Sequence, residues 1–85
     1  MLRVDPGDTF ARYALGLEYA SGKDFQSAKD IFEELRILDP NYKATYYQLG
    51  KAYEMLGNEQ EARKVYEKGI YVAQSQSDMH TKSEL

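Results

Sequence analysis

The sequence predicts an all-α protein made of antiparallel helix–turn–helix hairpins, and three observations support this prediction. Residue types recur at a fixed period of 34, so that Leu15-Gly16 returns as Leu49-Gly50. Apolar residues within each copy follow the three-and-four spacing of a helix face. The two prolines, Pro6 and Pro40, also lie one period apart, and proline marks connections because it cannot occupy a helix interior. A period of this length is typical of stacked repeat units, which mostly bind other proteins.

The first hairpin is predicted to consist of helices over residues 8–21 and 25–38. The run Ser21-Gly22-Lys23-Asp24 separates them. Asp8 and Asp24 are expected to cap the two helices, because a carboxylate accepts the backbone N–H groups left unbonded at a helix start.

The second hairpin repeats this organisation with helices over residues 42–55 and 59–73. Gly57 suits the left-handed conformation that often ends a helix. Asn58, followed three residues later by Glu61, resembles a capping box. Gly69 interrupts the last helix at a cost of about 1 kcal/mol relative to alanine, which indicates close approach to a neighbouring helix.

The end of the chain is predicted to leave this pattern. Residues 74–77 are polar and indicate a frayed helix end or a loop, and residues 78–85 are expected to begin a further helix. The predicted organisation is therefore a tail or repeat remnant over residues 1–7, repeats over 8–41 and 42–75, and a partial capping helix or disordered tail over 76–85.

Composition and charge argue against several classes of function. The chain has 85 residues, which is enough for one domain. Its net charge of −3 provides no basic surface, so we expect no nucleic-acid partner. The sequence lacks an apolar run of about 18 residues, so we expect no membrane partner. The absence of cysteine fits a reducing compartment, and the predicted location is the cytoplasm.

Candidate catalytic and metal-binding residues are sparse. His80 is the only histidine and lies in the polar end of the chain, where no nucleophile or orienting partner is evident. One histidine and scattered carboxylates do not provide the spacing of a metal site. We therefore expect no enzyme activity, no metal and no cofactor.

The repeated residues are similar to those of the tetratricopeptide repeat family, a 34-residue helix–turn–helix unit. The first copy reads Arg12-x2-Leu15-Gly16-x2-Tyr19, then Ala28-x3-Phe32, then Pro40. The second reads Tyr46-x2-Leu49-Gly50-x2-Tyr53, then Ala62-x3-Tyr66, then Gln74. The chain departs from the pattern at Arg12, where a bulky aromatic residue is usual, and at Gln74, where proline is usual.

The resemblance implies a short right-handed α-solenoid of two repeats. Leu15, Tyr19, Leu49 and Tyr53 are expected to pack against the second helix of each pair. The small residues at the other repeat positions are expected to allow close helix approach, and the aromatic ones to fill the space between successive hairpins. The full set of expected packing residues is Leu15, Gly16, Tyr19, Ala28, Phe32, Leu49, Gly50, Tyr53, Ala62 and Tyr66.

In this family the first helix of each pair lines a concave groove that holds a peptide or a helix of a partner protein. The positions that correspond to this groove are mostly apolar or aromatic here: Phe10, Tyr13, Leu17, Ser21, Ala44, Tyr47, Lys51, Glu54 and Met55. Three occupants remain open: a partner protein or peptide, a second copy in a homodimer closed through this aromatic face, and the segment after Asp78.

Overall fold

The fold of the chain is two stacked helical hairpins. The computed structural model describes the backbone of residues 8–84 and the side chains of residues 8–76. Its helices are α1 (Thr9–Ser21), α2 (Phe25–Leu38), α3 (Lys43–Met55) and α4 (Glu59–Glu84), with no strand in the described part. Helix α1 pairs with α2, α3 pairs with α4, and α2 packs against α3. This is the all-α repeat architecture predicted from the sequence; the predicted tail over residues 1–7 lies outside the described residues.

Both helices of the first hairpin begin at the predicted aspartates. The Asp8 carboxylate accepts the Ala11 backbone N–H at 3.1 Å, and the Asp24 carboxylate accepts that of Ser27 at 3.1 Å. Each interaction bonds an N–H group that has no partner within its own helix. The sequence therefore determines these two helix starts locally.

The turns inside the two hairpins share one left-handed position. Gly57 has a φ of 83°, as predicted, and the Asn58 side chain accepts the Glu61 backbone N–H at 3.3 Å. Thirty-four residues earlier, Lys23 has a φ of 66°, whereas its neighbour Gly22 has an ordinary φ of −83°. The first turn thus places a lysine in a conformation that favours glycine.

The predicted break after Ala73 is wrong. Helix α4 is continuous from Glu59 to Glu84, so the polar residues 74–77 are helical and residues 78–84 prolong α4. The physical reason is that this run contains neither glycine nor proline, and its glutamines are adequate helix formers. Gln76 also donates a side-chain hydrogen bond to the Asn41 carbonyl group at the start of the second hairpin.

The core lies where α2 and α3 meet, with contributions from α4. Its buried residues form one cluster: Ala28, Phe32, Leu35, Tyr46, Leu49, Val65 and Val72. Tyr46, which lies at the position of Arg12 in the first repeat, is buried and donates a 2.6 Å hydrogen bond to the Pro40 carbonyl group. Arg12 instead makes an ion pair with Glu34 at the surface of the first hairpin.

Three glycines lie where helices approach closely. A methyl group on Gly16 would come within 2.5 Å of the Phe32 ring, and one on Gly50 would overlap the Tyr66 ring. A methyl group on Gly69 would lie 2.7 Å from the Tyr46 Cβ, which confirms the close approach predicted there. Phe32 and Tyr66 thus pack on the glycines of their own hairpins, rather than only between successive hairpins as expected.

The expected packing fails for two residues of α1. Leu15 is 43% exposed and Tyr19 is 38% exposed, although their counterparts Leu49 and Tyr53 are buried and half-buried. Tyr53 donates a hydrogen bond to Glu33 of α2, so this face of α3 turns towards the preceding hairpin. No described helix precedes α1, and the same face of α1 is therefore left exposed.

Candidate functional site

The candidate binding face contains a hollow between α1 and α3, which we call the α1–α3 hollow. It has a volume of about 370 Å³ and is lined by Leu17, Ala20, Ser21, Phe25, Gln48, Lys51, Ala52 and Met55. Four of the predicted groove residues, Leu17, Ser21, Lys51 and Met55, are therefore brought together. The hollow combines apolar side chains with a few polar groups, a combination that fits an apolar side chain of a ligand.

A second depression, which we call the α3–α4 groove, lies between the helices of the second hairpin. It has a volume of about 560 Å³, is almost entirely apolar, and is lined by Lys43, Ala44, Tyr46, Tyr47, Tyr66, Gly69, Ile70 and Ala73. Two predicted groove residues, Ala44 and Tyr47, belong to it. Six of the nine predicted groove residues thus lie in one or the other of two separate depressions, and Glu54 lines a third, between α3 and α4, with Arg63 and Glu67.

The remaining predicted groove residues have other surroundings. Tyr13 is half-buried and packs edge-on against Tyr42 at 5.4 Å between ring centroids, and against Phe32 at 5.9 Å. Tyr13 is therefore mainly a packing residue. Phe10 is 74% exposed and lines neither depression. Glu54 accepts a 2.6 Å hydrogen bond from the Tyr66 hydroxyl group, which fixes the ring beside the α3–α4 groove.

The electrostatics of both depressions are mild. The Lys51 ammonium group lies 5.5 Å from the centroid of the Tyr47 ring, which is a cation–π distance. Burial and the hydrogen bond to the Glu54 carboxylate raise the pKa of Tyr66 to about 12, so its hydroxyl group remains a hydrogen-bond donor at neutral pH. Neither depression presents the concentrated positive charge that a phosphate ligand requires.

Sequence reasoning missed several residues that line these depressions. Phe25 and Ile70 lie on second helices of their hairpins, and the family resemblance places the groove on first helices alone. Gln48, Ala20 and Ala52 flank the predicted positions on α1 and α3. The signal in the sequence that could have identified such lining residues is an apolar residue on the exposed side of α4, such as Ile70.

The described part of the chain contains neither a metal-binding cluster nor a membrane-spanning helix. Within that part, no cluster of three or more histidine, cysteine, aspartate or glutamate side chains could hold a metal ion. The side chain of His80 lies outside the described side chains. Within the described residues, no helix combines the length and apolar character needed to cross a membrane.

Comparisons with known proteins agree with this geometry. The family model of the tetratricopeptide repeat matches residues 19–83. The chain is 28% identical over its full length to a TPR repeat-containing protein of Pseudomonas aeruginosa, of which it covers 81%.

Two solved structures of tetratricopeptide repeat domain proteins from Salinibacter ruber are also similar. The crystal structure has a TM-score of 0.76 and 44% identity, and the match covers 80% of this chain and 76% of that one. The solution NMR structure has a TM-score of 0.79 and 40% identity, with coverage of 95% and 85%. This chain therefore belongs to the tetratricopeptide repeat family, whose members serve in general as non-catalytic scaffolds for protein interaction.

Proposed function

We propose that the α1–α3 hollow binds a segment of a partner protein and that the chain acts through this binding without catalysis. The observation that carries the proposal is the convergence of Leu17 and Met55, from different repeats, on one open hollow. Both side chains are exposed, so burying them against a ligand would remove apolar surface from water and favour binding.

The lining of the hollow indicates the chemistry of the ligand segment. Phe25 and Met55 offer contact area to one apolar side chain, and methionine adapts its shape to different ligands. Ser21 and Gln48 offer hydrogen-bonding groups to the backbone of a peptide. Lys51 adds a positive charge at the rim, so we expect an acidic group near the apolar residue of the ligand.

The proposal can be tested by selecting binders from a displayed library of random peptides. The 85-residue chain should enrich peptides that carry an apolar side chain, and L17E and M55E should lose this enrichment. The control is I37E, because Ile37 is 78% exposed on α2 and lines neither depression. Enrichment that survives both L17E and M55E would show that the hollow is not the binding site.

A symmetric homodimer closed through the same face is the second candidate function. It is favoured by the exposure of Phe10 and Tyr47 on the first helices of the two hairpins. A dimer of this kind should dissociate into single chains in the F10E and Y47E variants, which place charges on these two exposed side chains. Retention of the dimer in both variants would exclude this face as its interface.

The cytoplasmic location stays a prediction that rests on the cysteine-free composition. Cell fractionation with an antibody against the chain would test it.

A further inference from the structure

The two outer helices of the stack, α1 and α4, are the repeat counterparts of α3 and α2, which already pack together inside the chain. A shift of 34 residues converts the α1–α2 hairpin into the α3–α4 hairpin. Helix α3 packs on α2 in the middle of the stack. By the same shift, helix α1 of one molecule corresponds to α3, and helix α4 of another corresponds to α2.

The outer face of α1 carries two of the residues that α3 uses in this internal contact, a leucine and a tyrosine, with Arg12 at the position of Tyr46. Leu49 is fully buried in the core cluster, and Tyr53 hydrogen-bonds to Glu33 across the contact. Their counterparts Leu15 and Tyr19 are the same residue types at the same repeat positions, yet both are exposed. We call this surface, with Leu15 and Tyr19, the α1 edge.

The opposite end of the stack presents a receiving surface. After the first repeat, Tyr42 packs edge-on against Tyr13, and Tyr46 belongs to the same buried cluster as Leu35. After the second repeat, Gln76 is the counterpart of Tyr42, and it continues α4 instead of starting another hairpin. The α3–α4 groove therefore stays open, with Ile70 58% exposed.

We propose that the α1 edge of one molecule packs on α4 and the α3–α4 groove of a second copy of this chain, head to tail. Leu15 would then take the place that Leu49 has on α2. Tyr19 would lie opposite Glu67, which is the counterpart of Glu33, and would donate to it as Tyr53 donates to Glu33. A second copy is the occupant because the internal α2–α3 contact shows that this leucine and tyrosine fit the corresponding surface of the preceding hairpin. On α4 that surface has Gly69 and Ile70 in place of Leu35 and Arg36, so it is open and apolar.

This association differs from the symmetric dimer considered above in its surfaces and its geometry. Each molecule uses two different surfaces, so a bound pair still presents one free edge at each end, and the assembly does not close. The net charge of −3 on each copy opposes association, and salt screens this repulsion. We therefore expect longer assemblies at higher protein and moderate salt concentration.

The experiment blocks one surface at a time and then combines the blocked variants. L15E places a charge on the α1 edge, and I70E places one in the α3–α4 groove; both positions are exposed in the single chain. The 85-residue wild type should show a weight-average mass, by light scattering, that rises with concentration beyond twice 9.8 kDa. Each variant alone should remain at the monomer mass. An equimolar mixture should form a pair of one L15E and one I70E molecule, which retains one intact interface, and should grow no further.

The control I37E should assemble as the wild type does, and circular dichroism should show unchanged helicity in every variant. Where a glutamate variant loses helicity, the milder Y19S and I70S variants replace it in the same mixing experiment. A wild type that remains monomeric at all concentrations would overturn the proposal. A mass that stops at two chains, or a mixture of blocked variants that stays monomeric while the wild type associates, would also overturn it.

Discussion

Tyr53 of α3 donates its hydroxyl hydrogen bond to the Glu33 carboxylate of α2 and so connects the two hairpins. Glu33 also accepts a 2.6 Å hydrogen bond from Arg36 one turn later on the same helix. The tyrosine is half-buried against the core, and its hydroxyl group is the polar end of an otherwise apolar contact. The relative position of the hairpins therefore depends on packing and on one specific donor–acceptor pair.

The first prediction concerns alkaline pH. Burial and the hydrogen bond to Glu33 raise the pKa of Tyr53 from 10.0 to about 12. The folded state thus holds this proton more tightly than the unfolded state, so the stabilisation is complete below pH 10 and is lost as the pH rises through about 12. The free energy of unfolding, measured with urea across this range, should fall more steeply for the wild type than for Y53F. Equal slopes for the two proteins would contradict the raised pKa.

The second prediction compares the glycines of the two hairpins. A methyl group on Gly16 would meet the ring of the fully buried Phe32. A methyl group on Gly50 would meet the ring of Tyr66, which lies beside an open groove. Overpacking costs about 1–3 kcal/mol, and the higher helix propensity of alanine returns up to about 1 kcal/mol. G16A should therefore lose about 2 kcal/mol of unfolding free energy, and G50A less, because the Tyr66 ring borders an open groove into which it can shift. Urea denaturation of G16A and G50A measures both changes in unfolding free energy. Equal losses of stability in the two variants would show that Tyr66 is as constrained as Phe32.

The third prediction uses the shared left-handed turn position. Lys23 has a φ of 66° where the second hairpin has Gly57 at 83°. A non-glycine residue in this conformation costs roughly 1–2 kcal/mol. K23G should raise the thermal midpoint, with a gain of up to about 1 kcal/mol after the extra freedom of glycine in the unfolded chain is subtracted. The converse variant, G57K, should lower the midpoint. A fall in stability for K23G would mean that the lysine side chain contributes more than its backbone conformation costs.

The fourth prediction concerns a buried hydroxyl group. Thr45 is fully buried in α3, and its Oγ1 has no hydrogen-bond partner among the described residues. Replacing it with valine keeps the shape and removes an unsatisfied polar atom, so T45V should stabilise the fold by about 1 kcal/mol. The matched control is T9V, because the Thr9 hydroxyl group donates to Asp39 at 3.0 Å and its loss should destabilise by about 1 kcal/mol. The thermal unfolding midpoint should therefore rise in T45V and fall in T9V. A lower midpoint for T45V than for the wild type would contradict this account of Thr45.

The helical hairpins and most helix ends could be predicted from the sequence because their causes are local. Asp8 and Asp24 bond N–H groups three residues away, and Gly57 adopts a conformation that its own backbone allows. Repetition of the same residues at one period then indicated that the two hairpins are alike. The end of α4 was predicted wrongly because polar composition suggested a loop, although no residue in that run interrupts a helix.

The sequence by itself determined that this protein is a pair of tetratricopeptide hairpins with apolar residues on the first helices. Only the tertiary structure decided which of those residues are available to a partner. Leu15 and Leu49 are the same residue at the same repeat position, yet one is exposed and the other is buried. Likewise, Tyr13 is taken up in packing while Leu17 lines a hollow. The physical reason is that burial depends on which helix lies opposite a residue, and a repeat pattern is the same whether or not that neighbour is present.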